Sequence, residues 1–220
     1  MRYIFYGLMI AIVVLGCSPT DNEKEVSWED LKKDKKSQKV LTFIGDSLTA
    51  GYQLPKECAF PYLIGEKLAK KNSVYTTRNA GKSGAVSDDV SNNLSWYLRD
   101  DVHAVFLCIG ANDGLRGKKL DATQKNIEAI VKACRNKKIR IALAGIMLPV
   151  NYGEEYRKKF YQMYVDISKK YSISFMPFLL QDVAGVSSLN LEDGIHPNIE
   201  GHKIIADNVF NFIMKENLLP

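Results

Sequence analysis

Residues 102–109, Val-His-Ala-Val-Phe-Leu-Cys-Ile, run almost without a polar side chain. A strand with no polar face must be covered on both sides, as a central strand of a parallel sheet is when helices lie above and below it. The rest of the chain supplies those layers. Residues 40–44 form a second apolar, β-branched run that breaks at Gly45, and shorter runs at 73–77, 139–145 and 172–175 bring the count to five strands. Helical spacing of apolar residues fills the intervals, at 62–69, about 87–98, 124–134, 154–170 and 199–214. Tyr156, Phe160, Met163, Tyr164 and Ile167 make the clearest such stripe. This alternation specifies α/β class: a three-layer α/β/α sandwich on a five-stranded parallel sheet, with right-handed crossovers. With 220 residues, 46% of them hydrophobic, residues 40–220 make one domain with a sizeable core.

The front of the chain is different in kind. Arg2 is the only charge in residues 1–16, and residues 3–16 are apolar almost throughout. That run falls short of the about 17–25 residues a membrane-spanning helix needs. It has the layout of a secretory signal. Val14-Leu15-Gly16-Cys17 resembles a bacterial lipobox, which implies removal of residues 1–16 and lipid on Cys17. An ordinary signal peptide or an uncleaved anchor is the alternative. Residues 17–39, polar and charged, read as a flexible tether. Acyl chains on Cys17 tether a domain to a membrane without a spanning helix. The expected location is the bacterial cell envelope, on the periplasmic face or the surface.

A formal charge of +5 gives no case for nucleic-acid binding. Cys17, Cys58, Cys108 and Cys134 lack zinc-site spacing, and with Cys17 lipidated an odd number of thiols remains, against a disulfide framework.

Chemistry-bearing residues fall in four loops: Gly45-Asp46-Ser47, the glycine-rich turn at 79–84, Gly110-Ala111-Asn112-Asp113, and Asp193-Gly194-Ile195-His196-Pro197. Loops that leave the carboxyl ends of parallel strands gather on one edge of the sheet. A hydroxyl, a flexible turn, a carboxamide, a carboxylate and an imidazole on one rim are the parts for acyl transfer. Ser47 needs a base to become a nucleophile, and His196 is better placed than His103 in a strand or His202 in the last helix. Asp193 is available to orient the imidazole. Asn112, a glycine N–H of the turn and the N–H of Ser47 are candidate oxyanion donors. Taken singly, each has an ordinary structural role: Gly-Asp-Ser as a capped turn, Asp193 and Asn112 as loop residues, His196 as a cap or core residue.

Together, these blocks resemble the SGNH, or GDSL, superfamily of serine hydrolases over about residues 40–215, which implies a flavodoxin-like sheet. The resemblance implies Ser47 as nucleophile, Asp193 and His196 as its partners, and Ser47, Gly84 and Asn112 as the oxyanion hole. It prefers Gly84 to Gly81, and it implies no metal or organic cofactor. Asn112-Asp113-Gly114-Leu115-Arg116-Gly117 and Leu148-Pro149-Val150-Asn151-Tyr152-Gly153 are similar to segments of the bacterial arylesterase and multifunctional thioesterase–protease–lysophospholipase branch. Ala111 departs from the glycine common there. Leu115, Met147, Leu148 and Val150 are candidates to line an acyl groove, with ordinary loop packing as the alternative; the resemblance implies acyl esters, lysophospholipids or thioesters as substrates. Removal of O-acetyl groups from envelope glycans, and envelope binding without catalysis, are the competing functions.

Overall fold

Residues 39–219 are described by a computed structural model. The expected leader, Cys17 and all of the tether but Lys39 lie outside the described residues. Strand β1 (Lys39–Gly45) leads through the short helix α1 (Ser47–Ala50) to α2 (Phe60–Lys70) and β2 (Tyr75–Gly81). Helices α3 (Ser87–Ser91) and α4 (Leu94–Tyr97) precede β3 (Val102–Cys108). Then come α5 (Ala111–Leu115), α6 (Leu120–Asn136), β4 (Arg140–Ala144), α7 (Glu154–Tyr171), β5 (Ser174–Met176) and α8 (Ile199–Lys215).

The strands lie in the order β2-β1-β3-β4-β5, and every neighbouring pair is parallel. The chain winds outward from β1 to β2, then crosses back to build β3, β4 and β5 on the other side. That reversal opens a crevice at the carboxyl ends of β1 and β3, where ligands bind in sheets of this order. Gly45 lets the two strand ends close together: a Cβ there would stand 2.4 Å from the Cys108 carbonyl oxygen and 2.1 Å from Thr49 Oγ1.

Val105, Phe106, Leu107 and Cys108 are fully buried in β3, as are Leu41, Phe43 and Ile44 in β1. Helices α2 and α8 pack together, while α3, α6 and α7 pack in series. Phe160, Met163, Tyr164 and Ile167 face the core from α7, and the Tyr164 hydroxyl donates to the Ile109 carbonyl at 2.9 Å. Burial holds the Cys108 and Tyr164 protons on.

Ser47 and Asn112, expected in loops, lie in the short helices α1 and α5, and three further elements differ from the sequence expectation. β2 starts later and runs through Gly81, taking in residues first read as turn. It is an edge strand, so Thr76, Thr77, Arg78 and Asn79 need no apolar cover, and the alternation that would reveal them is missing. The helix expected over 87–98 is two short ones, because Asn93 leaves the helical region at φ −125°, ψ 34° and its side chain donates to the Asp89 carbonyl. β5 is only three residues long.

Candidate active site

Asp46 ends β1 and caps α1: its Oδ1 accepts from the Leu48 amide at 3.0 Å. Ser47 is therefore the first helical residue, at the crevice rim. Its Oγ lies 2.8 Å from His196 Nε2, across 149 residues of sequence. His196 Nδ1 is 2.6 Å from Asp193 Oδ2. The other oxygen of Asp193 accepts from the amides of Ile195 and His196, both at 3.0 Å. Partial burial pushes the Asp193 carboxyl up, but those amides and the imidazole outweigh it and hold the group below the usual carboxylate range. This leaves an ionised acceptor behind Nδ1, so the ring's Nδ1 carries hydrogen and Nε2 is free to accept from Ser47. The Tyr52 ring lies against the imidazole, with centroids 4.5 Å apart.

The sequence-nominated oxyanion donors follow successive strands: Ser47 opens α1, Gly84 lies in the turn after β2, and Asn112 lies in α5. Gly84 has φ +79°, a left-handed conformation that suits glycine, and its carbonyl accepts from Arg116 at 3.1 Å. Asn112 Nδ2 donates to the Ala85 carbonyl at 3.0 Å, which leaves its second hydrogen available. No acceptor among the described residues takes the backbone amide of Ser47 or Gly84. Gly81 has another task. A Cβ there would stand 2.4 Å from the Ala50 amide, so it permits β2 to pack on α1.

Asp113 ties α5 to the start of α3 and to α6. It is almost completely buried, and its Oδ2 accepts from the Ser87 amide at 2.8 Å. Its Oδ1 accepts from Ser87 Oγ at 2.7 Å and from Thr123 Oγ1 at 3.3 Å. Sequence reading noted Asp113 only as a neighbour of Asn112; its contact with Thr123 of α6 leaves no trace in the local pattern.

A cavity of about 480 Å³ opens beside Ser47 and His196. Leu115, Met147, Leu148 and Val150 line it, joined by residues the sequence did not single out: Ile146, Phe178, Leu180 and Ile195 from the sheet edge and the loops after β5, and Arg157 from α7. Met147, Val150 and Ile195 are also exposed at its mouth. His103 is exposed on β3, well apart in the fold from this rim. His202 is buried under α2, where its Nδ1 accepts from the Phe60 amide at 3.2 Å; burial lowers its pKa to about 4.

The chain is 31% identical to an arylesterase of Vibrio mimicus over 81% of its own length and 90% of that protein's. It is 33% identical to thioesterase 1/protease 1/lysophospholipase L1 of Escherichia coli (strain K12), over 76% and 80%. Among solved structures, the psychrotrophic esterase EstA from Pseudoalteromonas sp., inhibited by monoethylphosphonate, superposes with a TM-score of 0.77 at 33% identity, covering 80% of this chain and 97% of that one. Residues 43–204, from β1 into α8, match the GDSL-like lipase/acylhydrolase family, and the chain belongs to it.

Proposed function

We propose that the protein hydrolyses acyl esters through a Ser47-His196-Asp193 triad, held at a membrane by lipid on Cys17. The observation that carries this is the continuous line from Ser47 Oγ through both ring nitrogens of His196 to Asp193 Oδ2. His196 takes the Ser47 proton as Oγ attacks the ester carbonyl. The negative charge that forms on the carbonyl oxygen meets the Ser47 and Gly84 amides and the second Nδ2 hydrogen of Asn112. One such donor contributes about 3–4 kcal/mol of transition-state stabilisation. His196 returns the proton to the departing alcohol, leaving an acyl-Ser47. It then takes a proton from water as the water attacks the acyl-Ser47, and returns that proton to Ser47 Oγ as the acid leaves.

The lining of the cavity suits an acyl chain better than an acetyl group alone, and its volume falls in the range of small-molecule sites. Relatives named arylesterase and thioesterase 1/protease 1/lysophospholipase L1 support substrates in the same range. The lipobox-like Val14-Leu15-Gly16-Cys17 supports an envelope location facing membrane lipids.

A substrate panel tests the reading: nitrophenyl esters of rising chain length, a lysophospholipid, an acyl thioester and an acetylated glycan, with fluorophosphonate labelling alongside. The expected result is hydrolysis of medium-chain esters and an adduct on Ser47. Release of acetyl groups alone would favour glycan deacetylation, and a folded protein that neither labels nor turns over would be a binding module.

A further inference from the structure

Arg157 lines the catalytic cavity and also a neighbouring one of about 450 Å³, with Met147, Leu148 and Val150 shared between the two. Its Nε donates to the Leu148 carbonyl at 2.8 Å, which fixes the guanidinium on the wall of the site. Its terminal nitrogens have no acceptor among the described residues. The acids nearest in sequence are engaged elsewhere, Glu154 with Lys158 and Glu155 with Lys159. No Asp or Glu lines the catalytic cavity, so apart from His196 its only ionisable lining residue is Arg157. Closing an apolar groove does not require a guanidinium; a leucine or methionine would fill the space. A half-buried arginine without a counter-ion, with one edge tethered and the other open, presents paired donors suited to the oxygens of a carboxylate or phosphate.

We propose that Arg157 is an anion-recognition residue, and that the preferred substrates carry an anionic group, a phosphate ester or a carboxylate, within reach of the acyl cavity. This rests on the reading of Ser47 as nucleophile. Two molecular sources share that chemistry: the phosphate of a lysophospholipid, and a terminal carboxylate on the acyl chain itself.

The test compares matched substrates with the full chain and its Arg157→Gln variant. One pair is a lysophosphatidic acid against the monoacylglycerol of the same chain. The other is the nitrophenyl half-ester of suberic acid against nitrophenyl octanoate. The expected result is a kcat/KM ratio favouring the anionic member in at least one pair, falling about tenfold in the variant, as for loss of a charged hydrogen bond. The pair that responds identifies the source. Lys159→Gln, two residues further along α7 and paired with Glu155, leaves the ratio as it is. A second measurement needs no turnover: octyl phosphate and octanoate binding to the Ser47→Ala chain by calorimetry, with octanol as the neutral control. Arg157→Gln in that background is expected to weaken at least one of the anionic ligands about tenfold more than octanol. Unchanged ratios together with unchanged binding differences overturn the proposal and leave ester hydrolysis standing. Absence of turnover and of Ser47 labelling, with Arg157-dependent binding intact, overturns the hydrolase reading instead.

Discussion

Ser47 and His196 approach to 2.8 Å although one follows the first strand and the other precedes the last helix. The hydroxyl has no other side-chain partner among the described residues, so removing it disturbs little besides the chemistry. Ser47→Ala is expected to lower kcat by about 10⁴-fold or more. Its unfolding midpoint should stay within about 0.5 kcal/mol of the parent, as for a surface substitution. Esterase assay and urea denaturation check both halves, and substantial residual turnover contradicts the role of Ser47.

Asp193 is an acceptor for three hydrogens, one of them on the imidazole. In Asp193→Asn the amide can turn its NH2 toward Nδ1, which favours the tautomer with hydrogen on Nε2, where it cannot take the Ser47 proton. The expected loss in kcat is about 10³–10⁴-fold with the fold retained. A variant within tenfold of the parent would remove Asp193 from the triad.

Asp113 touches no reacting atom, yet it fixes Ser87 and, through it, the turn that bears Gly84. Asp113→Asn sets an NH2 against either the Ser87 amide or its hydroxyl, leaving a buried donor unpaired at about 1–3 kcal/mol. Activity per labelled Ser47 should fall about tenfold or more, mainly in kcat, because the oxyanion site is displaced and the acyl cavity is not. A change confined to stability, with kcat per active site intact, would make Asp113 purely structural.

Two buried groups give stability opposite pH trends. Burial raises the Asp46 carboxyl to about 6, and its Oδ2 has no partner. A raised acid contributes stability that is complete below its unfolded value, near 3.8, and is lost as pH rises through about 6. Buried His202 is depressed from 6.5 to about 4, so its contribution is lost as pH falls across that interval. Each is worth up to about 3 kcal/mol, so the parent's profile is nearly flat where they overlap. Asp46→Asn keeps the acceptor for Leu48 and removes the buried charge. It is expected to be more stable than the parent at about pH 8, with the advantage shrinking towards about pH 4, where the variant shows the His202 loss alone. Denaturation across that range checks this; a constant difference would contradict it.

Much of this was legible in the chain. The apolar run of β3 and the stripe of α7 announced themselves because burial on both faces, or on one helical face, leaves a periodic trace. Ser47, Asn112, Asp193 and His196 stood out because each follows a glycine or falls in a turn-rich loop at a strand's end. What escaped were features with no local trace. β2 is polar because it is an edge strand, and the break at Asn93 depends on a side-chain bond to Asp89. Asp113 and Arg157 matter through what α6 and Leu148 bring to them, and such contacts exist only after folding.

The placement of Asp193 and His196 within one turn has a consequence for how competence arises. That half of the proposed machinery is assembled by its own short segment, with the adjacent amides of Ile195 and His196 holding the Asp193 carboxylate. Only the meeting with Ser47 requires the whole sheet to have formed and the final segment to have docked. Turnover would then be the last property to appear during refolding, and its recovery would serve as a clock for that closing event.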